Sequence, residues 1–401
     1  MLKGTNLNYT KAYNYRIVLE MIRLHGPIAR SDIAHSTGLT VQTVANISNR
    51  LLNRKLIREG ERRTNGRGAP STALEVNPKG ALSIGIDFNR DHLTAVLVDL
   101  AGKVKAKVFF ELNSPEPEKA VELIASSIEH LIKHVDVNLS ELIGVGVGLP
   151  GPLEIIGNEV VTNAVNPKLF PKWKHVPIIE MIGKHTKLPI FLENNASSAA
   201  IGERWYGEGK AYANFVYAFF GIGFGSGIII NGQLYNGNNR NAGEIGFFPI
   251  DASLSPLSVD PKPHIGEHFN LNSLYDWLEK NGAHASEPED LLTLFQKKNP
   301  FFMDWLNTGI KLLGSVFTSV EYLLDPEAII LGGRLPTSIL NYIKDGVAIQ
   351  LRELRVLETQ SIPILLTTSA GADAAALGAA TLPMFNIFAA NPDILLKKDD
   401  E

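Results

Sequence analysis

Apolar residues in the first eighty positions recur at the spacing of α-helices. A first helix is predicted from about residue 11 to residue 24, and a Gly-Pro pair ends it. A short second helix over residues 32–36 would stop at Gly38. Thr40 is placed to cap a third helix, which reaches about residue 55. A short helix, a turn containing glycine and a longer helix together predict a helix-turn-helix.

The third predicted helix has two different faces. Its apolar face consists of Val44, Ile47 and Leu51. Amide, hydroxyl and guanidinium groups lie on and beside the other face, and these groups suit base edges and phosphates in a DNA major groove. A merely solvated face would more often carry Glu and Lys. The residues expected to contact DNA here are Thr40, Gln42, Thr43, Asn46, Asn49 and Arg50.

A hairpin wing is predicted after the third helix. Residues 56–61 and 73–76 have the pattern of two strands, and a Gly/Pro/Thr-rich tip joins them. Three arginines of the tip are expected to enter a minor groove or to pair with phosphates: Arg62, Arg63 and Arg67. An ordinary basic linker is the alternative. Residues 1–78 are therefore interpreted as a winged helix-turn-helix domain with its wing and linker.

The rest of the chain alternates strands and helices. A three-strand meander over residues 81–112 precedes a helix at 117–135 and a buried strand at 143–152. A second meander, over residues 214–237, precedes further helices and strands. A meander followed by α/β alternation, occurring twice, predicts an α/β body of two related lobes with a cleft between them. We expect lobes at 79–195 and 196–401, with a C-terminal helix that could pack back on the first lobe.

The distribution of charge separates the head from the body. Residues 1–80 hold 13 Lys and Arg against 5 Asp and Glu, whereas the remaining residues hold 25 against 37. A basic head on an acidic body indicates a polyanionic partner for the head, although a solvated basic surface would look the same. The chain has no cysteine, which excludes disulfides and thiolate metal sites. Without a signal peptide or a long apolar run, a cytoplasmic protein with no membrane contact is expected.

Six fragments carry a resemblance to a known family. They are "GPIARSDIAHSTGLTVQTV", "GVGLPGP", "LENNASSAAIGE", "NAGEIGF", "LLDPEAIILGG" and "GADAAALGAA". In this order and spacing, over nearly the whole chain, they resemble the ROK family of bacterial repressors and sugar kinases. The resemblance implies a two-lobed body of the actin-like, hexokinase-like (ribonuclease H-like) fold. It also implies that a winged helix at the N-terminus marks the repressor branch.

The kinase features of that family are broken here. Its kinases follow the first strand of the body with Asp, an apolar residue, two glycines and Thr, which approach phosphate closely. This chain has Asp87, Phe88, Asn89, Arg90 and Asp91 at that place. The second phosphate loop, residues 221–227, keeps its glycines but not its threonine. In addition, Asn195 replaces the aspartate that acts as general base, and an amide has no useful basicity near pH 7. The resemblance therefore predicts no catalytic residue, no enzyme activity and no cofactor.

The zinc site of the family is also incomplete. Phe247 stands where the family has a zinc-binding histidine, and the cysteine-rich loop is absent. His264 and His268 are spaced i, i+4, but Gly266 between them argues against the helix that would bring them together. We expect no metal, and we expect these histidines to line the ligand pocket or the surface. Asn194 and Asn195, which belong to the sugar-holding set given next, could instead cap the helix that follows them. The sugar-holding residues implied by the resemblance are Gly148, Pro150, Gly151, Asn166, Asn194, Asn195 and Glu244.

Three functions remain open from the sequence. The leading interpretation is a DNA-binding repressor of carbohydrate genes, in which a sugar or polyol in the cleft changes the spacing of two heads in a dimer or tetramer. The second is an active ATP-dependent sugar kinase with an accessory DNA-binding head. The third is a body that binds a protein partner instead of a small ligand.

Overall fold

The computed structural model describes residues 5–63, 71–156, 159–162, 172–255, 257, 261–356 and 361–390. These residues form a head and a body of two α/β lobes. Within these ranges no helix is both long and apolar enough to span a bilayer.

The head is the predicted winged helix. Its elements are α1 (Leu7–His25), α2 (Arg30–Thr37), α3 (Val41–Asn53), β1 (Ile57–Arg63) and β2 (Ser71–Val76). The first helix begins earlier than the apolar pattern indicated, because the side chain of Asn6 caps it by accepting from two backbone amides. The second ends at Gly38, which adopts a left-handed conformation with φ 69°. Thr40 caps α3 as predicted, since its hydroxyl oxygen accepts from the amide of Thr43 at 3.1 Å.

The first lobe is built on a five-stranded sheet. Its strand order is β5-β4-β3-β6-β9, with three antiparallel strands followed by two that run parallel to β3. The elements of this lobe are β3 (Leu82–Phe88), β4 (His92–Asp99), β5 (Val104–Glu111), α4 (Pro117–Val135), β6 (Leu142–Leu149), β7 (Leu153–Ile156), β8 (Glu159–Thr162), α5 (Ile178–Gly183) and β9 (Ile190–Asn194). The strands β7 and β8 form a separate antiparallel pair.

The second lobe repeats this layout. Its sheet has the order β12-β11-β10-β13-β14, again an antiparallel meander followed by two parallel strands, so the predicted duplication is confirmed. Its strands are β10 (Phe215–Phe220), β11 (Phe224–Ile230), β12 (Gln233–Leu234), β13 (Ala328–Gly333) and β14 (Ile364–Thr367). Its helices are α7 (Ile265–His268), α8 (Leu271–Lys280), α9 (Pro288–Gln296), α10 (Pro300–Leu324) and α11 (Thr337–Leu354).

Two helices lie between the sheets and join the parts. They are α6 (Asn195–Tyr206) and α12 (Ala374–Phe388). The first packs on β10 and β11 of the second lobe, and α12 packs on β3 and β6 of the first. They cross closely at Gly378, where a Cβ would collide with the carbonyl oxygen of Ser198. The C-terminal helix therefore returns to the first lobe, as the sequence suggested.

The core of the head is continuous with the core of the body. Buried residues of α1 and α3, such as Val18 and Leu51, belong to the same apolar cluster as Trp205 of α6 and Phe388 of α12. A shared core fixes the orientation of the head relative to the helix pair between the lobes.

Candidate functional site

A cavity opens between the lobes, where β3, β6 and β9 end and α6 begins. Its volume is about 250 Å³, close to the lower end of the range for small-ligand sites. Six of the nine residues predicted for the ligand site line it, namely Pro150, Gly151, Asn194, Asn195, Glu244 and His264. Of the others, Gly148 lies within β6 behind this lining, and Asn166 lies outside the described residues.

Asn194 caps α6 and also faces the cavity. Its Oδ1 accepts from the amide of Ala196 at 2.8 Å, so the helix-capping alternative holds for this residue. Its Nδ2 is turned toward Gly151, where a Cβ would collide with that nitrogen and would lie 2.7 Å from Oε1 of Glu244. Any larger residue at this position would require the side chains of Asn194 and Glu244 to shift. The loop from the first lobe and Glu244 from the second therefore meet at the paired asparagines.

Asn195 has one satisfied and one unsatisfied end. Its Nδ2 donates to Oδ1 of Asp87 at 2.6 Å. Its Oδ1 is buried and has no hydrogen-bond partner among the described residues, although the side chain lines the cavity. A buried acceptor without a partner is costly, and a hydroxyl group of a ligand would satisfy it. The amide is thus held for binding by the carboxylate that stands at the head of the altered phosphate turn.

Glu244 is a carboxyl group that lines the same cavity as the amide of Asn195. Burial raises the pKa of Glu244 to about 7. No described residue donates a hydrogen bond to its side chain, so its oxygens are available to ligand hydroxyls. An amide oxygen and a carboxyl group converging in an enclosed cleft suit a polyhydroxylated molecule.

The corner that holds phosphate in the kinases is filled by ion pairs in this chain. His92 lies between two carboxylates, with Nε2 at 3.2 Å from Asp87 and Nδ1 at 2.7 Å from Asp91. Burial lowers the pKa of His92, but the hydrogen bonds to the two carboxylates outweigh it and raise the pKa to about 9. Asp91 also pairs with Arg334, which follows β13 in the second lobe. A charged network therefore joins the two lobes where a nucleotide phosphate would lie.

Aromatic side chains form much of the remaining wall. Trp173 stacks on Phe88 at a centroid distance of 5.1 Å, and its indole nitrogen donates to the carbonyl of Pro115. Phe247 is 47% exposed and packs against the ring of His264 at 5.5 Å. Sequence reasoning missed Trp173, because no local signal shows that the segment before α5 returns to the cavity. Asn89 and Arg90 were also missed as lining residues, although they lie in the altered phosphate turn.

The two histidines of the 247–274 segment have different positions. A short helix, α7, does form despite Gly266, because that glycine packs directly on the backbone of Gly246. His264 precedes the helix and lines the cavity, but His268 is fully buried and the expectation that it lines the pocket is not met. Its ring hydrogen-bonds Ser255 at 2.9 Å and the carbonyl of Trp305 at 3.0 Å. Burial lowers the pKa of His268 to about 4, so this neutral ring is part of the core of the lobe.

The polar face of α3 is turned to solvent. Thr40, Gln42, Asn46, Asn49 and Arg50 are exposed, whereas Thr43 is half-buried beside the cap. The amide of Gln42 donates to Asn46 at 3.1 Å, which aligns two amide groups along the helix.

A second basic surface lies beside α3. Lys11 and Tyr15 of α1 line a groove with Arg50 and Arg54, and both guanidinium groups lie over the Tyr15 ring at 5.4 and 5.9 Å. Sequence reasoning missed Lys11 and Arg54, which only the packing of α1 on α3 brings together.

Two of the arginines predicted at the tip of the wing lie in a strand instead. Arg62 and Arg63 belong to β1 rather than to the tip, and Arg67 lies outside the described residues.

Charged residues join α1 of the head to the C-terminal end of α6. Arg23 donates to the carbonyl of Trp205 at 3.0 Å, and its guanidinium lies 4.6 Å above the indole ring of the same residue. Glu20 pairs with Arg23 at 2.6 Å and with Arg204 at 3.5 Å. The helix that presents Asn195 to the cavity therefore ends in direct contact with the head.

Sequence comparison decides the family. The ROK family model matches residues 83–384, which is most of the chain. The chain belongs to the ROK family. Among curated relatives of this ROK protein, the xylose repressor of Bacillus spizizenii is 28% identical over 378 residues, covering 93% of this chain and 95% of the relative. The N-acetylglucosamine repressor of Escherichia coli O157:H7 is 26% identical over 292 residues, covering 73% of this chain and 68% of the relative.

Solved structures share the fold. A ROK family transcriptional regulator that is a homologue of the E. coli MLC protein superposes with a TM-score of 0.71 at 21% identity, over 95% of this chain and 98% of that one. A ROK family glucokinase from Streptomyces griseus, in complex with glucose and AMPPNP, superposes with a TM-score of 0.64 at 20% identity, over 75% of this chain and 99% of that one. The regulator covers the head as well as the body, whereas the glucokinase covers three quarters of the chain.

Proposed function

We propose that this ROK protein is a sugar-responsive, DNA-binding transcriptional regulator that acts as a repressor. The observation that carries the proposal is the connection of two sites by one helix. The cavity with the unsatisfied oxygen of Asn195 lies at one end of α6, and the head with its exposed amide face contacts the other. The alignment with a xylose repressor over 93% of the chain supports the same function. Such a regulator works on the chromosome, so we place it in the cytoplasm.

The body of the proposed regulator binds sugar without phosphorylating it. A kinase needs a general base near the sugar hydroxyl and an open phosphate corner. Here Asn195 supplies an amide whose nitrogen is held by Asp87 at 2.6 Å. The pairing of Asp91 with Arg334 fills the corner from both lobes. ATP would have to break this pairing before its phosphates could approach.

Binding at the cavity reaches DNA through the position of the head. A ligand that contacts Glu244 of the second lobe and the loop at Pro150 and Gly151 of the first touches both lobes, so its affinity depends on the angle between them. It can shift the DNA-binding equilibrium only by its difference in affinity for the two arrangements. Two heads in a homodimer or homotetramer would read half-sites about one helical turn apart, and a change in their spacing would release the operator.

The proposal is tested by separating its two binding activities. DNA affinity is measured with fragments upstream of carbohydrate genes, with and without a panel of monosaccharides and polyols. We expect Asn46→Ala to weaken DNA binding and keep the sugar affinity, because Asn46 is exposed on α3. Glu244→Gln should weaken sugar binding and keep DNA binding without sugar. DNA binding that no carbohydrate alters would contradict the proposal and favour a body that binds a protein partner.

A further inference from the structure

The charges around the closed phosphate corner balance one another. Asp87 and Asp91 are two carboxylates, and His92 and Arg334 are the two cations that contact them. The hydrogen bonds that His92 donates to both carboxylates keep it protonated at neutral pH, since they raise its pKa to about 9 against the effect of burial. These four groups therefore carry no net charge together, and both carboxylates are already engaged.

Arg90 is one cation more than this balance requires. It lies in the same turn, its side chain is half-buried, and it lines the cavity. No carboxylate forms an ion pair with its guanidinium anywhere in the described ranges, and no hydrogen bond from its side chain occurs there either. Burial lowers the pKa of Arg90, but a guanidinium stays charged at neutral pH. Asp91 attracts Arg90 without forming an ion pair with it, and that carboxylate is already paired with His92 and Arg334. A partly desolvated guanidinium that shares its counter-charge in this way is stabilised when a further anion binds to it.

The other ionisable group of the cavity does not supply that anion. Glu244 lines the same cavity, but it makes no ion pair with Arg90. Burial raises the pKa of Glu244 to about 7, so it is only partly ionised at neutral pH. The cavity therefore combines a hydroxyl-binding end, at Asn195 and Glu244, with a net positive charge at Arg90.

We infer that the effector is a sugar derivative bearing an anionic group, a phosphate or a carboxylate, and that Arg90 binds this group. The inference rests on the proposed sugar-sensing function and makes it more specific. The hydroxyl groups of the ligand donate to the Asn195 oxygen and to Glu244, and its anionic end receives charge-assisted hydrogen bonds from Arg90. Arg90 then determines specificity, because a neutral sugar leaves the guanidinium unpaired.

The test compares matched neutral and anionic ligands by isothermal titration calorimetry on the full chain. Xylose, glucose, mannose and galactose are each paired with their terminal phosphate and with their aldonic acid, which separates phosphate from carboxylate. Inorganic phosphate alone controls for simple anion binding. The variants are Arg90→Gln, Arg90→Lys and, as a matched loss of charge, Arg352→Gln. Arg352 is exposed on α11, no residue of which lines the cavity.

We expect at least one anionic ligand to bind wild type about 10-fold to 100-fold more tightly than its neutral partner, the range for hydrogen bonds to charged groups. Arg90→Gln should remove this preference and leave the affinity for the neutral partner within about 2-fold of wild type. Arg90→Lys should keep part of the preference, and Arg352→Gln should keep all of it. Equal or tighter binding of the neutral sugars, a preference that survives in Arg90→Gln, or phosphate binding without sugar selectivity would each overturn the inference alone. Binding of none of these carbohydrates would overturn the proposed function as well.

Discussion

Replacement of Arg23 by methionine tests whether α6 connects the cavity to the head. Methionine keeps an unbranched apolar stem but removes the guanidinium, whose side chain is only 7% exposed. The variant loses the hydrogen bond to the carbonyl of Trp205 at 3.0 Å and the contact with its ring at 4.6 Å. The apolar core shared by the head and the body remains. Arg30→Met is the matched control, because Arg30 pairs with Glu59 inside the head.

The expected effect follows from the contacts that are lost. A hydrogen bond from a charged donor contributes about 1.5–3 kcal/mol. A cation–π contact adds about 0.5–1 kcal/mol. Glu20 keeps a second partner in Arg204 at 3.5 Å, so its carboxylate is not left without a cation. We therefore expect docking of the head to weaken by about 2–4 kcal/mol, which corresponds to roughly a 30-fold to 900-fold decrease in the docking equilibrium constant.

Two measurements detect the loss of docking. Hydrogen exchange should become faster in α1 and in the last turn of α6, while the amides of the two sheets stay protected. The factor by which a bound sugar changes DNA affinity should fall toward one, with the sugar affinity measured without DNA unchanged. The reasoning is refuted if Arg23→Met shows the same exchange rates and the same sugar response as Arg30→Met.

Three further substitutions test the site and the helix pair. Asn195→Asp places a second carboxylate beside Asp87, whose Oδ1 lies 2.6 Å from the Asn195 amide nitrogen in the wild type. Repulsion between the two carboxylates should lower the free energy of unfolding by about 1–3 kcal/mol at pH 7.5 and by less near pH 4, and no sugar-dependent ATP hydrolysis should appear. Unchanged denaturation midpoints would contradict this. The pKa of His92, about 9 in the folded protein against an ordinary value of 6.5, predicts that stability falls between pH 6.5 and 9 by on the order of 3 kcal/mol. His92→Gln should flatten that slope in urea titrations, and an unchanged slope would assign it to other groups. Gly378→Ala should lower the free energy of unfolding by about 1–3 kcal/mol, and with it the thermal midpoint, because its Cβ meets the Ser198 carbonyl. An unaltered midpoint would mean that α6 and α12 separate freely.

Local signals predicted most elements of the fold. The cap at Thr40, the left-handed Gly38 and the alternation of the two meanders are encoded in short stretches of sequence, and the structure has them as predicted. The helix expected at residues 117–135 has those bounds, because proline begins it and its apolar spacing is regular. Such features depend on neighbours within a few residues, so one sequence suffices to find them.

Contacts between distant residues were not accessible in the same way. The i, i+4 spacing of His264 and His268 suggested a common environment, but α10 brings Trp305 against the second histidine and takes it into the core. The Asp91–Arg334 pair joins positions 243 residues apart, which no local pattern reveals. Sequence reasoning recognised that the phosphate turn was altered, yet the ion pairs that fill it depend on how the two lobes face each other.

The most direct test of the account is one titration that follows DNA and sugar together. Operator binding is monitored by fluorescence anisotropy while sugars and their anionic derivatives are added with Mg-ATP, and the carbohydrate is followed by NMR. The account predicts that an effective ligand changes the DNA affinity and is recovered chemically unchanged, at the same concentration with and without ATP. Sugar-dependent formation of ADP and a phosphorylated product would contradict it, because the amide of Asn195 and the filled phosphate corner would then support catalysis.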